Sequence, residues 1–136
     1  HKLHPPPIAE SSSAEQREAR ARFLQFLHYG PGSAYHAVIP IFEKTFGVEE
    51  AKQDKQAIAK DVEKWKASVV QVLKPALADG RAYLLGSEFS AADIIMSYDL
   101  MTARFTGASG LLDDPLIASY FDRISARKSY KECYDP

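Results

Sequence analysis

Apolar residues recur at every third or fourth position between residues 23 and 45, the spacing that puts them on one face of an α-helix. They are Phe23, Phe26, Leu27, Gly30, Ala34, Val38, Ile41, Phe42 and Thr45. Ser12 and Ser13 precede Glu15 and Gln16 at the spacing of a capping box, which predicts that a helix begins here. Pro31 and Pro40 fall inside it. Because proline lacks an amide donor and crowds the carbonyl four residues earlier, we expect a kink at one or both.

Two more stripes follow the first. The second helix carries an apolar stripe with lysines largely opposite, and Gly80 is placed to end it. Its stripe is Ile58, Val62, Trp65, Val69, Val72, Leu73 and Leu77.

Ser90 and Asp93 have the spacing of an N-cap and an N3 carboxylate, so a third helix is predicted from Ser90. This helix is apolar nearly all round, which predicts that it is the axis of the core. Its stripe is Ile94, Ile95, Tyr98, Met101 and Phe105.

A fourth helix is predicted where Asp114 precedes Pro115, since proline is well tolerated at the first helical position. Its stripe is Leu116, Ile117, Tyr120, Phe121 and Ile124. Ser129 and Glu132 repeat the capping-box spacing and predict a short last helix. No segment alternates convincingly with a period of two. The sequence therefore predicts an all-α fold, a helical bundle of four main helices plus a short C-terminal helix.

The first twelve residues combine three consecutive prolines with a serine run and show no apolar period. Such a composition is typical of a linker. We therefore predict an interdomain linker over residues 1–12 and one helical domain over residues 13–136. The chain begins at His1 rather than methionine, and we expect it to be a piece of a longer protein.

Composition and charge exclude several function classes. The 136 residues suit one domain, and 17 basic against 18 acidic side chains leave a net charge of −1. We expect no nucleic-acid partner, because there is no basic excess to attract phosphates. No stretch approaches the ~20 apolar residues of a membrane span, so we expect no membrane association. The single Cys133 indicates a reducing compartment, and we predict a cytoplasmic protein.

A search for catalytic or metal-binding patterns yields no catalytic centre. The sequence contains no HExxH, CxxC or carboxylate–histidine cluster, and we predict no metal site. No GxSxG context and no phosphate-binding glycine loop is present. What remains is a polar strip on the first helix, where Tyr29, Ser33 and His36 share one side of the apolar stripe, and His28 and Tyr35 lie on the other. One of these sides is expected to line a small-molecule cleft; the alternative is that the strip faces solvent or a dimer partner.

Three stretches together resemble the C-terminal helical domain of the cytosolic glutathione S-transferases. YLLGSEFSAADI, residues 83–94, is similar to the segment in which a serine and an aspartate cap the family's buried core helix, here Ser90 and Asp93. FLHYGPGS, residues 26–33, is similar to a run on the family's first C-domain helix. Residues 115–127 resemble its penultimate helix. Two positions depart from the family pattern: Pro31 where glutamate is frequent, and Lys128 where proline is usual.

The resemblance implies that the activity is divided between two domains. The family's glutathione site and thiol-activating residue belong to a thioredoxin-like N-terminal domain, which is the expected partner of this chain. This domain would supply a wall of the site for a small electrophilic substrate, with Tyr29, Ser33, His36, Arg104 and Phe105 as the expected contacts, and part of a homodimer interface. Glutathione would be a co-substrate, with no other cofactor, in a detoxification reaction. We predict that these 136 residues alone contain no catalytic residue and are inactive.

A rival hypothesis assigns the chain no catalysis at all. The same helical domain serves as a protein–protein interaction module in translation elongation factors and synthetase complexes. An interaction module would bury the polar strip against a partner, whereas an electrophile site would leave it facing a cleft toward the linker. Near-neutral charge and the lack of a lysine-rich appendage mildly favour the transferase family.

Overall fold

A computed structural model describes residues 3–134 of the chain. It contains seven α-helices, numbered here in chain order. They are α1 (Ala14–Tyr29), α2 (Tyr35–Thr45), α3 (Lys55–Trp65), α4 (Gln71–Leu77), α5 (Ala91–Phe105), α6 (Pro115–Ser125) and α7 (Lys128–Tyr134). The described residues form no strand, and Tyr83 and Gly86 pair only in an isolated bridge. The predicted all-α fold is confirmed.

The first predicted helix is one continuous helical run made of α1, a π-helical segment over Gly30–Ala34, and α2. The capping box at Ser13 is present, since the Gln16 amide donates to Ser13 Oγ at 3.2 Å and Gln16 Oε1 accepts from the Ser13 amide at 2.9 Å. The regular pattern changes at Pro31, which has no amide to give to the carbonyl four residues earlier. The Tyr35 amide instead donates to the Gly30 carbonyl, five residues back.

The second predicted helix is also interrupted. A π-helical segment over Lys66–Val70 joins α3 to α4, and the Gln71 amide donates to the Lys66 carbonyl. No proline stands inside this segment, so the sequence pattern gave no sign of it. The run ends near Gly80 as predicted: its φ of +79° suits glycine, and its amide donates to the Leu77 carbonyl at 3.1 Å.

Helix α5 is the axis of the bundle and packs against α1, α2 and α6. Its buried apolar side chains meet a core in which twelve large side chains are fully covered, each contributing about 1.5–3 kcal/mol on burial. The largest is Trp65, whose Nε1 donates to the Leu111 carbonyl at 3.0 Å. The predicted stripe of α5 was partly wrong, because Ile94, Tyr98 and Phe105 are exposed. A helix that is apolar all round does not reveal which face its neighbours cover.

The ends of the later helices follow the sequence closely. Ser90 and Asp93 form the predicted capping box at the start of α5. Asp114 caps α6 by accepting from the Leu116 amide at 3.0 Å. The short last helix is present, but it begins at Lys128, so Ser129 lies inside it and does not precede it. The amides of Tyr130 and Lys131 donate to the Arg127 carbonyl, which makes Arg127 the residue that opens the helix.

The N-terminal segment runs outside the helices but is attached to them. The Leu3 carbonyl accepts from the Ala91 amide at 2.8 Å, and the Pro5 carbonyl accepts from Arg20 at 3.2 Å. This segment therefore passes the first turn of α5. Residues 1 and 2 of the predicted linker, and residues 135 and 136 of the predicted domain, lie outside the described part. No helix among residues 3–134 is long and apolar enough to cross a membrane.

Candidate functional site

An open cleft of about 390 Å³ lies between the first π-helical segment and the exposed face of α5. It is within the size range of small-molecule sites. Its lining residues are Pro31, Tyr35, Ile94, Ile95, Tyr98, Asp99 and Tyr134. Ile94 stands one helical turn after Ala91, whose amide donates to the Leu3 carbonyl of the N-terminal segment. We call these seven residues the α5 cleft.

The floor of the α5 cleft depends on a close approach between two helices. Gly30, which begins the π-helical segment, is buried against Ile95 and Asp99. A Cβ added at Gly30 would collide with Cγ2 of Ile95 and lie 3.1 Å from Oδ2 of Asp99. Only glycine therefore lets the backbone come this near to α5. The same approach brings the Asp99 carboxyl next to the start of the π-helical segment.

Aromatic rings form one wall of the α5 cleft. The rings of Tyr35 and Tyr98 are stacked, with centroids 6.0 Å apart and planes 28° from parallel. Tyr98 is 44% exposed, so part of this ring surface is open to a ligand. Flat rings with a polar edge combine apolar contact area with hydrogen-bonding capacity, which is common in sites for small organic molecules.

The α5 cleft contains one ionisable carboxyl group, that of Asp99. The residue is only 2% exposed, and within residues 3–134 its Oδ2 has no hydrogen-bond partner. Burial raises the pKa of Asp99 to about 7 because the charged form loses its hydration. Burial, and secondly the Asp99 charge, raise the pKa of Tyr29 to about 12. The floor of the cleft is therefore an unpaired acid in apolar surroundings.

The residues of the predicted polar strip lie beside this cleft and do not line it. The hydroxyl of the half-buried Tyr29 donates a hydrogen bond to the Ser68 carbonyl of the second π-helical segment. Ser33 and His36 are exposed. Tyr35, on the opposite side of the apolar stripe, is the residue of this region that lines the cleft. The ligand contacts predicted for Tyr29, Ser33 and His36 stay predictions.

Arg104 and Phe105, at the end of α5, also lie outside the cleft lining. Arg104 reaches toward α6, where it pairs with Asp122 at 3.2 Å and covers the Phe121 ring at 4.4 Å. Phe105 is 61% exposed. The structure thus separates this pair from the polar strip, and their role in substrate binding stays a prediction.

Sequence reasoning missed the residues of α5 that form the cleft. The apolar pattern places Ile94, Ile95 and Tyr98 in the core stripe and does not single out Asp99. One sign was available: Asp99 is a charged residue in the middle of an otherwise apolar helix, and such residues are rarely buried without a reason. Which face of α5 it occupied depended on packing.

A larger cleft of about 740 Å³ lies on another part of the surface, between α2, α3 and the loop after α5. Four of its lining side chains already form ion pairs with each other, Lys55 with Glu50 at 3.0 Å and Lys66 with Glu63 at 2.9 Å. Cys133 is exposed. Within the described part of the chain no three His, Cys, Asp or Glu side chains are grouped to hold a metal ion. The α5 cleft is therefore the better candidate site.

Comparison with known proteins gives one finding. A search of curated proteins finds no match. A family model described as "Glutathione S-transferase, C-terminal domain" matches residues 34–132, which is 99 of the 136 residues. The matched range contains α2 to α6, most of α7 and the capping box of α5. On this match and the all-helical fold, the chain belongs to the glutathione S-transferase C-terminal domain family.

Proposed function

We propose that this chain is the substrate-binding half of a glutathione transferase. Joined to a thioredoxin-like N-terminal domain, it would hold an apolar electrophile while that domain binds glutathione and ionises its thiol. The observation that carries this proposal is the α5 cleft, an open aromatic and aliphatic cavity. The N-terminal segment is bonded to the first turn of α5, so a preceding domain would be joined next to the helix that lines the cleft.

The chemistry assigned to the complete protein is nucleophilic conjugation. The glutathione thiolate attacks an electrophilic carbon, a carbon–sulfur bond forms, and a leaving group departs with the displaced electron pair. This chain contributes by orientation: Tyr35, Tyr98 and Ile94 offer apolar area to the electrophile and keep its reactive carbon near the sulfur. Such positioning does not accelerate the reaction unless a thiolate is present, so the 136 residues alone are expected to be inactive.

The decisive experiment is conjugation of 1-chloro-2,4-dinitrobenzene, measured in the complete gene product that contains this chain. Tyr98→Ala removes part of the aromatic wall and is expected to raise the KM for the electrophile at least fivefold, with the KM for glutathione nearly unchanged. Phe46→Ala is the matched control, since Phe46 is 62% exposed and lies outside the α5 cleft. Equal effects of the two variants would contradict the proposed role of the cleft.

A second candidate function follows from the exposed apolar side chains of α5. Ile94, Tyr98 and Phe105 lie on α5 and are all exposed, and exposed apolar surface often marks protein interfaces. An interaction module of the elongation-factor or synthetase-complex type would cover them with a partner. The coding sequence upstream of His1 separates the two candidates: a thioredoxin-like region with a Tyr, Ser or Cys near its first helix supports the transferase, and an unrelated domain supports the module.

The complete protein is further proposed to be a homodimer that acts in the cytoplasm. Light scattering of the complete gene product tests the first statement. A monomer at micromolar concentration would contradict it without affecting the electrophile site.

A further inference from the structure

One oxygen of the Asp99 carboxyl group lacks the hydrogen-bond partner that buried carboxyl oxygens normally have. Most buried polar atoms in proteins form a hydrogen bond, and an ionised group that forms none is costly to bury. Oδ2 of Asp99 has no partner within residues 3–134, although amide, hydroxyl and guanidinium donors are frequent in this chain. Oδ2 lies against Gly30, and the Asp99 residue itself lines the open α5 cleft. A buried carboxyl group with an unpaired oxygen at the edge of a cleft has the properties of a ligand-binding group.

The surroundings of Asp99 restrict the chemistry of such a ligand. The other six lining residues of the α5 cleft carry no charge at neutral pH: Pro31, Tyr35, Ile94, Ile95, Tyr98 and Tyr134. The Asp99 charge is therefore not neutralised by a neighbouring lysine or arginine of the lining. A ligand with a positive charge or an N–H donor would satisfy the carboxylate, whereas an anionic ligand would be repelled.

The shape of the cleft adds a second restriction. The stacked rings of Tyr35 and Tyr98 and the side chains of Ile94 and Ile95 offer apolar area in the cleft that Asp99 also lines. A volume of about 390 Å³ suits a molecule of one or two fused rings. The ring system would lie against the tyrosines with its polar head directed to the floor.

We propose that Asp99 is the polar anchor of the α5 cleft, and that the cleft selects aromatic molecules with a protonated amine head group. This inference rests on the proposed function, because it takes the α5 cleft as the ligand site, and it adds a substrate or inhibitor class to it. Asp99 acts here as a specificity-determining residue, while the thiol chemistry belongs elsewhere.

The test compares three naphthalene probes that share one ring system and differ in the charge of the head group. These are 1-naphthylmethylamine, 1-naphthylmethanol and 1-naphthoate, titrated calorimetrically into the 136-residue chain at pH 8, where Asp99 is mostly ionised. The amine is expected to bind at least tenfold more tightly than 1-naphthoate, with the alcohol between them. This comparison needs no variant. Naphthoate binding as tightly as the amine, or no binding by the amine, would overturn the proposal.

A pair of aspartate variants then assigns the preference to one residue. Asp99→Asn is expected to weaken amine binding about tenfold and to change alcohol binding less than threefold. Asp113→Asn is the control, because Asp113 is exposed and lies outside the α5 cleft. An unchanged amine affinity in Asp99→Asn would overturn the assignment. Binding is measured without glutathione, so failed conjugation in the complete protein would remove the transferase proposal and leave this result standing.

Discussion

Asp93 and Asp99 are both carboxylates of α5, six residues apart, and both are buried. Asp93 accepts four hydrogen bonds: from the Leu84 amide at 2.9 Å, the Ser90 amide and hydroxyl at 2.8 Å each, and the Tyr120 hydroxyl at 2.9 Å. Asp99 has an oxygen with no partner in the described chain. One helix thus contains a fully satisfied acid and an unsatisfied one.

The difference shows how burial alone fails to define the role of a charged residue. Asp93 joins the loop before α5, the start of α5 and the middle of α6, so its hydrogen bonds hold three parts of the fold together. Asp99 lies next to Gly30 and lines a cleft. Its buried charge destabilises the fold, but the same charge is available to bind a ligand. Three substitutions test this contrast.

The largest effect is expected from Asp93→Ala. The substitution leaves the Leu84 and Ser90 amides and the Tyr120 hydroxyl without their acceptor, and each buried donor left unpaired is costly. The free energy of unfolding should fall by about 3–5 kcal/mol, measured by urea denaturation. Asp113→Ala, at an exposed position, should change it by less than about 0.5 kcal/mol. Equal effects of the two would show that the network around Asp93 does not stabilise the fold.

Asp99→Asn should act in the opposite direction and depend on pH. The folded state raises the pKa of Asp99 to about 7, against ~3.9 in an unfolded chain. Between these values the unfolded state has lost the proton that the folded state keeps, so the wild-type stability contributed by this group falls as pH rises from about 4 to 7. Because asparagine does not ionise, the Asp99→Asn variant does not lose stability in this pH range through residue 99.

The measurement for Asp99 is urea denaturation of wild type and Asp99→Asn at pH 4.5 and pH 8. The variant should gain about 2–4 kcal/mol relative to wild type between the two pH values. A pH-independent difference would mean that Asp99 titrates normally. In that case the contrast with Asp93 would lose its electrostatic basis.

The smallest effect is expected where the two helices meet beside Asp99. Gly30→Ala adds a methyl group that collides with Ile95, and overpacking of this kind costs about 1–3 kcal/mol. Gly32→Ala, two residues away in the same π-helical segment, meets no atom within 4 Å and has no positive φ. It should be neutral or stabilising by up to about 1 kcal/mol. Thermal unfolding of the two variants distinguishes them, and a stabilising Gly30→Ala would contradict the close approach.

Much of the fold was predictable because its signals are local. Helix starts at Ser13, Ser90 and Asp114 follow from short capping patterns, and the helical stripes follow from the 3.6-residue period. The second π-helical segment was not predictable, since no proline or glycine stands inside it.

The candidate site was predicted only as a region. Angular position on the first helix gave two strips, and the sequence contained no means of deciding whether Tyr29 or Tyr35 would face the cleft. The structure decided it: the Tyr29 hydroxyl is bonded to the Ser68 carbonyl, and Tyr35 stacks on Tyr98. Both contacts join residues far apart in the chain, and a period along one helix carries no information about them.

By itself the sequence determined where the helices begin, that they are amphipathic, and which family they resemble. These are properties of neighbouring residues, set by hydrogen bonds and side-chain directions within a few turns. Only the tertiary structure decided that Asp93 is paired and Asp99 is not. The partners of a buried charge come from other helices, so its energy depends on packing between segments that are distant in sequence.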